Sequence, residues 1–172
     1  DKIKFKESVE KVEGKAAKAD TIAYNTRRTI HDKFDEDPVF YKKFSELLQD
    51  AIDAFRQERL TDAQYLKAVM DIASTIVDKK NDDLPVKVRP NENACAIYRV
   101  IADVLKDVAK DTGMLADASI AVDKIIKQNA IVDWHLNDDA KNRMINEIED
   151  YMADEVKADF DLIDLIIERI MK

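Results

Sequence analysis

An all-α fold, an irregular bundle of six to eight helices in a single domain, is what this sequence predicts, and three observations predict it. Apolar residues recur at helical spacing nearly everywhere, and a strand-like alternation is confined to Ile3 and Phe5. Two glycines and three prolines in 172 residues leave little material for tight hairpins. Charged residues make up 37% of the chain, against a usual share of about 25%. Hydrophobic residues stay at 46%, so a densely charged surface is expected over an ordinary core.

A lead-in segment, residues 1–14, precedes the helical domain expected over residues 15–172. Its first helix, residues 15 to about 36, places Ala19, Ile22, Ala23, Thr26, Ile30 and Phe34 on one face. Asp37 followed by Pro38 is an N-cap with proline at the first helical position. It starts a second helix bearing Phe40, Phe44, Leu47, Leu48, Ala51 and Phe55. Thr61 and Gln64 have capping-box spacing ahead of Tyr65, Leu66, Val69, Ala73, Ile76 and Val77, a third.

The segment Asp78 to Pro90 holds both remaining prolines, breaks the periodicity and reads as the longest connection, dividing the domain into two halves. Asn91 caps a fourth helix with Ala94, Ile97, Tyr98, Ile101, Leu105 and Val108 inward. That helix is expected to end at Thr112-Gly113, where glycine supplies the left-handed position. A fifth runs from about Leu115 to Gln128. Asn137 or Asp138 caps a sixth that presents Met144, Ile145, Ile148, Tyr151 and Met152. The last, Asp161 to Met171, reads as apolar almost all round.

Composition also limits function. A lone cysteine, Cys95, permits no internal disulfide, which fits a reducing, cytoplasmic setting. No run approaches the roughly 18 apolar residues of a membrane span. The chain begins with Asp, as expected of a fragment of a longer polypeptide. Its net charge of −8 opposes general nucleic-acid coating. Residues 1–34, however, hold nine Lys or Arg against six Asp or Glu, a balance of +3 that leaves −11 for the rest. Lys18, Arg27 and Arg28 are therefore the candidate contacts to DNA backbone, with solvated surface charge as the alternative.

No constellation for catalysis is evident. Gly14 and Gly113 lack the partners of a phosphate loop. Asp35-Glu36-Asp37 reads as a helix end and cap. Glu13-Gly14-Lys15 and Glu155-Val156-Lys157 match a nuclease tripeptide that a Glu- and Lys-rich chain produces by chance. His31 and His135 have no companions for zinc. Cys95 has no histidine at helical spacing and reads as a buried filler. Asp82-Asp83 and Asp138-Asp139 lack calcium-loop spacing. No catalytic, cofactor-binding or metal-binding residue is assigned. Trp134, the sole tryptophan, is a core plug or an interface anchor. With Asp133 and Asn137 it forms the candidate interface.

Two stretches carry a more specific signal. The run Asp37-Pro38-Val39-Phe40-Tyr41-Lys42-Lys43-Phe44-Ser45-Glu46-Leu47-Leu48, continuing through Ala54-Phe55-Arg56 to Tyr65-Leu66, resembles the carboxyl-terminal helical region of the restriction subunit of type I restriction-modification enzymes. Val132-Asp133-Trp134 through Asn137, Asn142, Met144 and Asp150-Tyr151 resembles a later motif of that region. Asp83-Leu84-Pro85 and Asn91 to Tyr98 lie between them, so the similarity covers roughly residues 25 to 157 in the same order. The resemblance implies a parent polypeptide that is an ATP-driven DNA translocase and endonuclease, using ATP and magnesium in domains ahead of this one. It implies that this domain helps dock the subunit on the methyltransferase core, beside other domains of its own polypeptide and near double-stranded DNA. Three classes remain: a docking module, a domain mainly touching DNA backbone, and an enzyme or ligand-binding bundle.

Overall fold

The computed structural model describes residues 12–78, 81 and 83–171, and the chain is all-α, with seven α-helices among them. The Ile3–Phe5 alternation and most of the lead-in lie outside the described residues. By compactness the chain divides into Asp1–Lys80 and Asn81–Lys172, a boundary inside the predicted long connection.

In the first unit α1 spans Lys15–Lys33, α2 Pro38–Arg56 and α3 Asp62–Asp78. Gly14 precedes α1 with φ +89°, a conformation that favours glycine. α1 buries Ala19, Ile22, Ala23, Thr26 and Ile30, as their spacing predicts. The Thr26 hydroxyl donates to the Ile22 carbonyl at 2.7 Å, which satisfies it inside the core. Phe34 departs from expectation: α1 gives way to a 3-10 turn, Phe34–Glu36, and the tighter pitch carries the ring out to partial exposure.

Asp37 caps α2, accepting from the Phe40 amide at 3.1 Å. Its buried face is Phe40, Tyr41, Phe44, Leu48, Ala51 and Ile52, so Tyr41 and Ile52 take places expected of Leu47, which is exposed. The capping box holds at α3, with the Thr61 amide donating to Gln64 Oε1 at 2.9 Å. α1 packs chiefly on α3, and α2 lies against both. Tyr65, Val69, Ala73 and Ile76 complete this core, whereas Val77, in the last turn of α3 and about 100° round the helix from Ile76, is exposed. The Tyr65 ring stacks on Phe55 with centroids 4.4 Å apart, and its hydroxyl donates to Asp20 Oδ1 at 3.0 Å. Burial, and then that hydrogen bond, push the phenol up to about 12.

The second unit holds α4 (Glu92–Val104), α5 (Thr112–Asn129), α6 (Asp138–Tyr151) and α7 (Phe160–Ile170). The connection ahead of α4 is more than a linker, because Leu84 and Val88 are buried in this unit's core. Arg89 Nε donates to the Leu84 carbonyl at 2.7 Å, and the Arg99 guanidinium reaches Asn81. Asn91 caps α4 by accepting from the Ala94 amide at 3.2 Å.

Three expectations fail in this unit. α4 stops at Val104, and Val108, beyond its end, is exposed. Gly113 does not close α4 but lies in the first turn of α5, because Asp111 Oδ1 accepts from the Gly113 and Met114 amides at 2.9 and 3.1 Å and so starts the helix there. α7 is amphipathic rather than apolar all round: Ile163, Ile166 and Ile167 are buried, while Asp161, Asp164, Glu168 and Arg169 are exposed. α5 packs on α4 and α6, and α7 on α4 and α6. A π-helical turn, Met152–Val156, carries Met152 and Val156 into the core before Lys157 ends it in the left-handed region.

Candidate protein interface

The turn between α5 and α6 begins where Asn129 ends α5, with Asn129 Nδ2 donating to the Ile125 carbonyl and to Glu147. The Trp134 amide donates to the Ile131 carbonyl at 3.0 Å, and the Leu136 and Asn137 amides donate to the Asp133 and Trp134 carbonyls at 2.9 Å. Asp133 sits at φ +55°, a left-handed conformation that costs a non-glycine residue roughly 1 kcal/mol. Asp tolerates it better than most residues. The result is a compact 3-10 turn, Trp134–Leu136, leading straight into α6.

The three interface candidates play different parts here. Asn137 caps α6, its Oδ1 accepting from the Ala140 amide at 2.9 Å. Trp134 is half-buried, edge-on to His135, and is not among the core residues of the unit. Asp133 is exposed. Sequence reasoning missed their neighbours: Val132 is 90% exposed, Leu136 76% and Ile131 48%. A signal for them was present. Ile131, Val132, Trp134 and Leu136 follow no single helical face at 100° per residue, so no helix could have buried them together.

Along the turn itself the charged residues have one sign. No Lys or Arg occurs between Gln128 and Ala140, while Asp133, Asp138 and Asp139 all do. The nearest cations are engaged, Lys127 with Asp123 at 2.6 Å and Lys141 with Asp138 at 3.2 Å.

The candidate DNA-contact residues lie in the first unit, on α1. Arg27 Nη2 donates to Gln49 Oε1 at 2.9 Å, and Gln49 in turn donates to Asp53. Arg28 lies 3.8 Å from Asp32. Lys18 is half-buried and, nine residues before Arg27, falls on the opposite flank of the buried stripe. The three cations do not share one face of the helix.

Cys95 is buried, with Sγ donating to the Val88 carbonyl at 3.2 Å, and is the small filler expected. His31 and His135 are exposed. Glu13 and Gly14 precede α1 rather than lying within it, and Glu155 sits in the π turn. Among the described residues no group of three or more His, Cys, Asp or Glu side chains could hold a metal ion. A cleft of about 420 Å³ is lined by Asp111, Met114, Asp117, Tyr151 and Glu155. Burial, then Glu155 and Asp117, raise the Tyr151 phenol above its ordinary range. Among the described residues, no helix is long and apolar enough to cross a membrane.

A family model described as "Type I restriction enzyme HindI endonuclease subunit-like, C-terminal" matches residues 2–172. Neither the curated proteins nor the solved structures include a match to the chain.

Proposed function

Because this chain belongs to the family of C-terminal domains of type I restriction enzyme HindI endonuclease subunit-like proteins, we propose that it is the non-catalytic docking module of an ATP-dependent DNA translocase and endonuclease. It works in the cytoplasm and helps seat that subunit on the methyltransferase core. The observation that carries this reading is the exposed apolar turn, Ile131–Leu136, on a unit whose own core is complete without it. Ile131, Val132 and Leu136 are exposed within one short turn, and such a cluster marks a place where another protein sits. ATP and magnesium are used by other domains of the parent polypeptide.

The test is co-purification of the full subunit, with and without this domain, against the methyltransferase core. Deletion is expected to abolish co-purification. In complexes already assembled, proteolytic removal of the domain should leave ATP hydrolysis largely intact. Normal assembly after deletion refutes the docking role.

A further inference from the structure

We infer that the Ile131–Leu136 turn is a wedge that seats in a partner protein, and that the partner presents an apolar groove rimmed by Lys or Arg; this rests on the docking role proposed above. Val132 and Leu136 supply the apolar tip, since both side chains stand mostly in solvent. The tip is pre-shaped: three backbone hydrogen bonds close it, Asp133 holds its left-handed bend, and Asn137 fixes where it joins α6. A turn already in its bound shape loses little conformational entropy on docking.

The collar of carboxylates selects the occupant. Asp133 lies within the tip and Asp139 in the first turn of α6, both exposed, while Asp138 is paired with Lys141. DNA backbone is repelled there, because phosphate binding needs cations. A membrane surface is disfavoured for the same reason, since the cation next to the turn, Lys141, is taken up by Asp138. A second copy of this chain meeting itself through the same patch would set collar against collar. A basic rim around an apolar floor satisfies both features, the rim steering encounter and the floor supplying affinity.

Two variants of the full subunit test this against the methyltransferase core, with binding measured at low and high salt. Val132→Asp with Leu136→Asp places charge on the tip and is expected to weaken binding about tenfold or more, as loss of a central apolar anchor does. Asp133→Asn with Asp139→Asn keeps a residue suited to the left-handed bend. It is expected to slow association severalfold at low salt and to flatten the salt dependence. All four side chains are solvent-facing, so unchanged helicity and melting temperature accompany both results. Binding by the Val132/Leu136 variant within about twofold of the unaltered subunit overturns the wedge. Tighter binding by the Asp133/Asp139 variant overturns the basic rim and points to an acidic partner. If deleting the domain abolishes assembly while the Val132/Leu136 variant assembles normally, docking stands and this surface falls. If the deletion itself assembles, the docking reading falls with it.

Discussion

The Asn91 amide and the Asp123 carboxylate meet at 2.6 Å, tying the cap of α4 to the middle of α5. Asn91 thus uses both ends of its side chain, Oδ1 on the Ala94 amide and Nδ2 on Asp123. Asp123 is buried and also receives Lys127 at 2.6 Å. Two helices that pack face to face are joined through one residue that sets where the first begins.

Asp123→Ala is therefore expected to cost about 2 kcal/mol, since it removes a buried acceptor and strands the half-buried Asn91 amide donor at the cap. Lys127→Ala, at a half-exposed position, is expected to cost under about 1 kcal/mol. Urea denaturation of both variants checks the ranking, and equal losses would refute it.

Tyr65 predicts an alkaline transition. An ordinary tyrosine titrates near 10, and this one, with its phenol buried and bonded to Asp20, near 12. The folded state favours the protonated form, so its contribution is fully present below pH 10 and is lost as pH rises from about 10 to about 12. Tyr65→Phe should cost about 1 kcal/mol at neutral pH and remove that part of the alkaline slope. Stability measured against pH, with tyrosinate absorbance followed in parallel, decides it.

Glu58 and Lys157 both occupy left-handed backbone, at φ +57° and +58°. Glu58 closes α2 with the amide of Arg59 donating to the Ala54 carbonyl and its own amide to Phe55, a paired closure in which glycine is the favoured residue. Both side chains are exposed. Glu58→Gly and Lys157→Gly are each expected to stabilise by about 0.5–1 kcal/mol. A lowered melting temperature in either would show that the side chain contributes more than its backbone strain costs.

Arg27→Ala with Arg28→Ala checks the DNA alternative. With Arg27 held by Gln49, Arg28 beside Asp32 and Lys18 on the other flank, the expected change in duplex affinity of the full subunit is under about twofold. A loss equal for unrelated duplexes, with a shallower salt slope, would restore these residues as phosphate contacts.

Helix starts were the most legible part of the fold. Asp37-Pro38, Thr61 with Gln64, Asn91 and Asn137 each form their caps, because a cap is decided within three residues. Helix ends were less so. Phe34, Val77 and Val108 fit the apolar period yet are exposed: Phe34 starts a 3-10 turn, Val108 lies past the end of α4, and Val77 stands at the edge of the buried stripe in the last turn of α3. Gly113 was ambiguous locally, and the competing cap at Asp111 prevailed. Leu84 and Val88 are buried by tertiary packing that no local pattern encodes. At the interface, the sole tryptophan drew attention to the right turn, but the residues most exposed there carry no motif.

The burial of Leu84 and Val88 has a bearing on how this polypeptide tolerates change in length. A chain cut at Asn91, the cap of α4, would leave the second unit with an open floor where those two side chains belong. A cut at Asn81 retains them together with the clasp from Arg89 to the Leu84 carbonyl. Residues added between Leu84 and Val88 would pull one plug or the other from its seat. What looks like slack rope between two helical blocks is, for most of its length, already tied.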